Sequence, residues 1–171
     1  MRPLAELDIQ RRRRPVRVVR DLLRRRRGRR VGPAGGPRPP RGPPSSLSNL
    51  RRLSLLDLSS NSLSGPIPED LGGLSATLRR LDLSGNAFTG AVPFTLGGLS
   101  ALTDLSLASN RLQGPIPSSL GALLSLTSLN LSSNSLHNPI PLELSQIRSL
   151  QALDLHSNRL SGGIDPVFLG F

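Results

Sequence analysis

Leucines and other apolar residues recur along most of the chain at one fixed spacing. From Leu53 onward the pattern LxxLxLxxNxLxGxIPxxLxxL returns five times, and its central asparagines lie 25, 24, 24 and 24 positions apart. These are Asn61, Asn86, Asn110, Asn134 and Asn158. An internal period of this length predicts a solenoid in which each repeat forms one coil and packs against its neighbours.

Each part of the repeat predicts a part of the coil. The LxL alternation places two leucines, such as Leu56 and Leu58, on the inner face of a short strand, and stacked strands form a parallel sheet. The following Asn lies at a bend, where its amide pairs with backbone groups that lack partners, so the five form a structural ladder. The Ile-Pro or Val-Pro pair then leads into a short helical or 3₁₀ turn that returns leucines to the core.

Glycine recurs two positions after the leucine or phenylalanine that follows the ladder asparagine. This position predicts a positive φ or a close backbone approach. In the fourth repeat Asn138 replaces glycine, and Asn is the next most tolerant residue of that conformation. The set is Gly65, Gly90, Gly114, Asn138 and Gly162.

The LxGxIP element with its 24-residue period resembles the plant-specific class of leucine-rich repeats. Similar repeats form the ectodomains of plant receptor-like kinases and receptor-like proteins, and the polygalacturonase-inhibiting proteins. The resemblance implies an α/β fold: a right-handed solenoid with a parallel sheet on the concave face and short helical or 3₁₀ turns on the convex face. It also implies a non-enzymatic module in signalling or defence that binds a protein or peptide at the cell surface or outside the cell. Inhibition of a polygalacturonase is the alternative function.

Composition divides the chain into two parts. Residues 1–43 hold 15 of the 22 basic residues, all of them Arg, and three acidic ones, which gives a net charge of +12. The remaining residues sum to −1. We therefore predict a disordered Arg/Gly/Pro-rich arm over 1–43 and a solenoid over 44–171, which begins with the tail of a preceding repeat.

Three other interpretations of the arm remain open. Val16, Val19 and Leu23 would form one apolar side of a basic helix suited to an anionic membrane. The arginine runs would serve as a nuclear address or contact phosphates, although no aromatic residue accompanies them for base stacking. A transit peptide fits less well, because such peptides are also rich in Ser.

The repeat pattern breaks inside a coil at both ends of the array. The positions that precede Pro44 hold Pro, Ala and Gly in place of the expected repeat residues, and Asp165 stands where Pro is expected. Neither an apolar signal segment nor a membrane span of about 20 residues is evident. We therefore expect a fragment of a longer array, with residues 1–43 arising from another reading frame or start, and a product without independent function is a further alternative.

The outward-facing strand positions form three columns across the predicted concave sheet, where solenoids usually bind. The columns are Leu55, Arg80, Asp104, Ser128 and Ala152; Asp57, Asp82, Ser106, Asn130 and Asp154; and Ser59, Ser84, Ala108, Ser132 and His156. Among them Leu55, Arg80 and His156 depart most from the repeat's usual residues, so we expect them to contribute specificity. Arg80 should lie beside Asp104 and form a cross-strand ion pair.

Few other residues of the chain suggest metal binding, catalysis or modification. The chain has no Cys and two His, which argues against metal binding, and we expect no cofactor. Asp154, His156 and nearby Ser residues suggest a catalytic arrangement, but an open sheet provides no buried oxyanion site, so we expect no enzyme activity. Asn130-Leu131-Ser132 is an N-glycosylation sequon that would be used if the chain is exported.

Overall fold

A computed structural model describes residues 16–18, 53–74 and 76–163. Within these ranges the five repeats form five successive coils of a solenoid. The strands are β1 (Val16–Val18), β2 (Leu53–Asp57), β3 (Ser64–Pro66), β4 (Arg80–Asp82), β5 (Ala87–Gly90), β6 (Asp104–Ser106), β7 (Arg111–Gly114), β8 (Ser128–Asn130), β9 (Ser135–Asn138), β10 (Ala152–Asp154) and β11 (Arg159–Leu160).

The strands form two parallel sheets. The first has the order β1-β2-β4-β6-β8-β10 and contains the LxL segments, which confirms the predicted parallel sheet. The second has the order β11-β9-β7-β5-β3 and contains the residues after the ladder asparagines. The sequence pattern did not predict this second sheet, because each of its strands is only two to four residues long and has no alternation of its own.

A short 3₁₀ helix follows the proline of each of the first four described repeats. These helices are Glu69–Gly73, Phe94–Gly98, Ser118–Ala122 and Leu142–Gln146. The preceding prolines are extended, with φ between −62° and −66°, which is the value their rings impose. The predicted short turns on the convex side are therefore present as 3₁₀ helices.

The core is a column of aliphatic side chains that runs through the coils. Leu81, Leu83 and their equivalents in the neighbouring repeats are fully buried, and Phe88 occupies the place of a leucine in the second coil. Each such side chain contributes about 1.5–3 kcal/mol when it leaves water. In the fifth coil, Leu153, Leu155 and Leu160 are only partly buried. One coil therefore depends on the next for its apolar contacts.

The predicted arm is described only at Val16–Val18. These three residues form strand β1, which pairs in parallel with β2 and brings Val18 opposite Leu56. The disordered and helical interpretations of the arm stay predictions. The other arm residues, the repeat tail before Leu53 and the sequence from Ile164 onward lie outside the described residues.

Within the part of the chain that the structure describes, no helix has the length and apolar content needed to cross a bilayer.

Candidate functional site

The outward-facing columns of the first sheet lie in register across all five coils. Leu55 is opposite Arg80, and the same ladder continues through Asp104, Ser128 and Ala152. The second column aligns Asp57, Asp82, Ser106, Asn130 and Asp154 in the same way. Most of these side chains are partly exposed. The strands therefore present a continuous polar surface, which we call the concave face.

Residues of the second column are joined to those of the third by a repeated pair of hydrogen bonds. The Asp57 Oδ1 atom accepts from the Ser59 backbone N–H at 3.0 Å and from its hydroxyl at 2.7 Å. Asp82 accepts from Ser84 at 3.0 and 2.6 Å, and Asn130 from Ser132 at 3.0 and 2.7 Å. One oxygen of each side chain is thus engaged in shaping the strand end, a role that the sequence analysis did not anticipate.

Arg80 forms an ion pair on its own strand. Its guanidinium Nη2 lies 3.4 Å from the Asp82 Oδ2 atom, and its side chain is 50% exposed. Arg80 and Asp104 are neighbours across the strands as predicted, but the Asp104 Oδ2 atom accepts from the Thr103 hydroxyl at 2.7 Å. The prediction of an Arg80–Asp104 ion pair was therefore wrong, because each residue has a closer partner on its own segment.

The fifth coil replaces the Asp–Ser pair with Asp154 and His156. The Asp154 Oδ1 atom lies 2.6 Å from the His156 Nδ1 atom and accepts from the His156 backbone N–H at 3.2 Å. The side-chain hydrogen bond from His156 is the largest influence on the pKa of Asp154, which lies below its ordinary value despite an opposing effect of burial. Both side chains are exposed at the end of the concave face.

Four of the five ladder asparagines connect their coil to the one before it. Asn110 donates to the Leu107 and Ala108 carbonyls of its own bend and to Leu83 of the preceding coil, at 3.1–3.2 Å. Its Oδ1 atom accepts the Phe88 N–H at 3.0 Å. Asn86, Asn134 and Asn158 repeat this set of bonds, while Asn61 donates to two carbonyls of the first bend. These side chains are structural and hold the strand ends together.

Positive φ angles occur at two positions in each repeat. The predicted set has φ of 85°, 77°, 89°, 72° and 77° at Gly65, Gly90, Gly114, Asn138 and Gly162. The residue just before the ladder asparagine is also left-handed, and the sequence analysis missed it because serine usually stands there. Gly85 stands at this position in the second repeat and could have indicated the positive φ. In the other repeats the residue is Ser60, Ser109, Ser133 or Ser157.

The sequon residue Asn130 lies on β8, the next-to-last strand of the first sheet. Its Oδ1 atom is engaged by Ser132, whose own side chain is 4% exposed. A glycan on Asn130 Nδ2 would therefore stand on the concave face itself. Among the residues described, no three His, Asp or Glu side chains are grouped so as to hold a metal ion.

Sequence models of leucine-rich repeats match most of the regular part of this chain. One model matches residues 52–74, and a second matches residues 76–136 and 100–160. Together they cover more than half of the chain and the coils described above. The chain belongs to the leucine-rich-repeat family. No curated protein sequence matches it.

Solved plant leucine-rich-repeat structures share the fold. The ectodomain of the Arabidopsis thaliana membrane receptor kinase GASSHO1/SCHENGEN3, in complex with CASPARIAN STRIP INTEGRITY FACTOR 2, is 41% identical with a TM-score of 0.73. That match covers 75% of this chain and 15% of the receptor chain. A BIR3–SERK2 complex from the same plant is 39% identical, with a TM-score of 0.64, over 71% of this chain and 63% of that one.

The same fold also appears in a plant ice-binding protein. This structure is 32% identical with a TM-score of 0.71, and the match covers 75% of this chain and 42% of the other. The chain therefore spans only part of the length of the structures that it resembles. Because one fold serves such different activities, function must be argued from the surface of this chain.

Proposed function

We propose that this chain is a receptor-like recognition module of plant signalling or defence, which binds a protein or peptide through its concave face. The observation that carries the proposal is the register of the outward-facing columns, which places side chains of changing size and charge on a rigid sheet. Rigid elements position a binding surface more precisely than loops do. The proposal places the module outside the cell.

The partners found in related structures support this proposal. The GASSHO1/SCHENGEN3 ectodomain was solved with CASPARIAN STRIP INTEGRITY FACTOR 2, and RGFR1, described as a plant peptide hormone receptor, was solved with RGF2. The BIR3–SERK2 structure is a complex between two proteins. Repeats of this kind thus take part in both peptide and protein complexes, and we extend that class of partner to this chain.

The side chains of the concave face favour a ligand with basic or hydrogen-bonding groups. The columns contain Asp57, Asp82, Asp104 and Asp154, against Arg80 as their one arginine. By formal charge, the columns are therefore net acidic. Complementary charge would raise the rate of ligand encounter and make it sensitive to salt. The surface changes from coil to coil, which suits an irregular peptide better than a repetitive lattice.

Crosslinking of the full chain with plant extracellular fluid tests the proposal. After a zero-length crosslink between carboxylates and amines, mass spectrometry should map a secreted peptide or protein onto Asp57, Asp104 or Asp154. The variant Ser106→Arg/Ser128→Arg, which places two long cations on the concave face, should lose those crosslinks. Crosslinks that map only to other surfaces, or that survive this variant, would contradict the proposal.

The control is Gln113→Arg, because Gln113 is exposed on β7 of the second sheet. It adds the same kind of charge to the chain without entering the concave face, so it should keep the wild-type crosslinks. Circular dichroism of each variant should match the wild-type spectrum, since all the substituted serines and Gln113 lie outside the buried core.

Inhibition of a polygalacturonase is the alternative function, and a separate assay tests it. Addition of the full chain to secreted polygalacturonases should leave their activity unchanged if the concave face is a peptide-recognition surface. Inhibition that Ser106→Arg/Ser128→Arg abolishes would instead assign the same face to an inhibitor.

A further inference from the structure

A shallow groove lies on the convex side, away from the concave face. Its volume is about 420 Å³, and its lining is mainly apolar. Three successive 3₁₀ helices line it: the first two contribute Gly72, Gly73, Gly97 and Gly98, which we call its floor, and Phe94, and the third contributes Ser119 and Ala122. Glu69 lies at its rim.

Phe94 is the most exposed large hydrophobic side chain of the described residues, at 65%. It occupies the first position of its 3₁₀ helix, where the equivalent residues are Glu69, Ser118 and Leu142. Serine and glutamate at this position show that the fold does not require an aromatic ring here. An exposed aromatic ring beside an apolar groove is typical of an interaction surface.

The glycines of the floor differ in whether the fold requires them. A Cβ atom on Gly72 would overlap the Thr95 backbone carbonyl, and one on Gly97 would overlap that of Ser119. At Gly73, a Cβ atom would meet nothing within 4 Å, and the φ angle there is not positive. Gly98, Ala122 and Gln146 hold the same position in the next three helices. The absence of a side chain at Gly73 therefore keeps the groove open without serving the packing.

The rim of the groove carries unbalanced negative charge. Glu69 lines the groove and Asp70 follows it in the chain; both are exposed, and neither forms an ion pair with another described residue. The Glu69 backbone carbonyl accepts from the Thr95 hydroxyl at 2.7 Å, which fixes the rim against the second helix. A ligand that combines an apolar side chain with an adjacent cation would match both the groove and its rim. A symmetric contact between the grooves of two copies matches less well, because it would bring two acidic rims together.

We propose that this convex groove is a second protein-docking surface, which takes an extended segment of a partner with a leucine-like side chain next to Arg or Lys. The apolar side chain would lie over the glycine floor against Phe94. The cation would lie near Glu69 and Asp70. Because the groove and the concave face are on opposite sides of the coils, both can be occupied together.

Nuclear magnetic resonance with the full ¹⁵N-labelled chain tests the proposal. The probe is a short acetylated peptide in which two leucines are flanked by arginines, and glutamates replace the arginines in its control. The arginine peptide should shift the amide signals of Gly72, Gly73, Gly97 and Gly98, and added salt should weaken this binding. The glutamate peptide should shift none of them.

Two variants should remove the site and leave the fold intact. Phe94→Ser copies the residue of the next helix, and Gly73→Gln copies Gln146 and fills the floor. Each should weaken peptide binding by about tenfold or more, because the apolar contact is lost. Leu142→Ser is the control: Leu142 is 57% exposed at the same helix position but does not line the groove.

Several results would contradict the proposal that the groove is a docking surface. They are the absence of any shift, shifts confined to the concave strands, and equal binding by the wild type, Phe94→Ser and Gly73→Gln. Shifts of the glycine signals on dilution of the chain alone would assign the groove to a second copy and overturn the proposed partner. Loss of binding in Leu142→Ser as well would show a non-specific apolar contact.

Discussion

The convex and concave sides of this solenoid restrict their sequences in different ways. On the convex side, adjacent 3₁₀ helices approach so closely that Gly72, Gly97 and Gly121 have no room for a Cβ atom. On the concave side, backbone pairing between strands sets the spacing, and the outward side chains range from serine to arginine. The fold thus determines residue identity where the backbones touch and leaves it free where side chains face solvent.

The difference separates residues that serve the fold from residues available for recognition. A glycine of the convex stack recurs because a larger residue would push the coils apart. A residue of the concave columns varies without that penalty, so its identity can be set by a ligand. The Asp–Ser pairs lie between these extremes, since one oxygen of each aspartate shapes the strand end.

The largest expected effect is at Gly97. Gly97→Ala should reduce the free energy of unfolding by about 2–3 kcal/mol, because the new methyl group overlaps the Ser119 carbonyl and the coils must separate. Urea denaturation of the full chain measures this change. Gly73→Ala is the matched control, and we expect a change within about 0.5 kcal/mol, since nothing lies within 4 Å of its Cβ position. Equal effects at the two glycines would contradict the close stacking.

The asparagine ladder is expected to show the next largest effect. Asn110→Ala removes three donated bonds and leaves the Phe88 N–H without its acceptor, which should cost about 2 kcal/mol. Asn61→Ala is the comparison, because among the described residues Asn61 donates only to carbonyls of its own bend. We expect about half the loss there in thermal unfolding. A larger loss at Asn61 would mean that the ladder does not connect the coils.

The regular part of the fold was predictable because buried leucines recur at the same positions of each repeat. Five copies of one pattern predicted that Leu105 and its equivalents are buried, and they also predicted the register of the columns. Gly65 indicated a residue with left-handed backbone conformation. The second sheet was not predictable, since its strands are short and held by backbone bonds that no side-chain pattern reports. The positive φ of Ser109 was not predictable, because serine does not indicate this conformation as glycine does.

The candidate site was predictable as a surface but not in its contacts. The columns follow from the two-residue period of a strand, whereas the partner of Arg80 depends on side-chain conformations. Asp104 is satisfied by the Thr103 hydroxyl, and Arg80 extends along its own strand to Asp82. Local hydrogen bonds of this kind compete with cross-strand pairs of similar free energy.

On the concave face, Arg80→Ala should change stability by less than about 0.5 kcal/mol, because the ion pair is exposed and 3.4 Å long. The same variant should weaken or alter the mapped ligand crosslinks, since Arg80 is the one cation of the outward-facing columns. Urea denaturation and crosslinking of the same preparation measure both effects. A loss of stability comparable to that of Gly97→Ala would contradict the separation of fold from recognition.

The smallest expected effect is the pH dependence at the Asp154–His156 pair. The hydrogen bond from His156 lowers the pKa of Asp154, so folding favours the ionised carboxylate. This contribution is present above the ordinary carboxyl pKa of about 3.9 and disappears as the pH falls through the lower folded-state value. Stability curves of wild type and Asp154→Asn should therefore differ by less than about 0.5 kcal/mol at neutral pH and converge in acid. Divergence in acid would contradict the assignment.

The most direct test of the concave face as a recognition surface compares stability and ligand capture in one variant of that face. Ser106→Arg/Ser128→Arg should unfold within about 0.5 kcal/mol of the wild-type chain, because both positions face solvent on the strands. The same variant should capture none of the extracellular ligand that the wild type captures. Undiminished capture, or a loss of capture explained by unfolding, would contradict the claim that the concave face is a recognition surface independent of the fold.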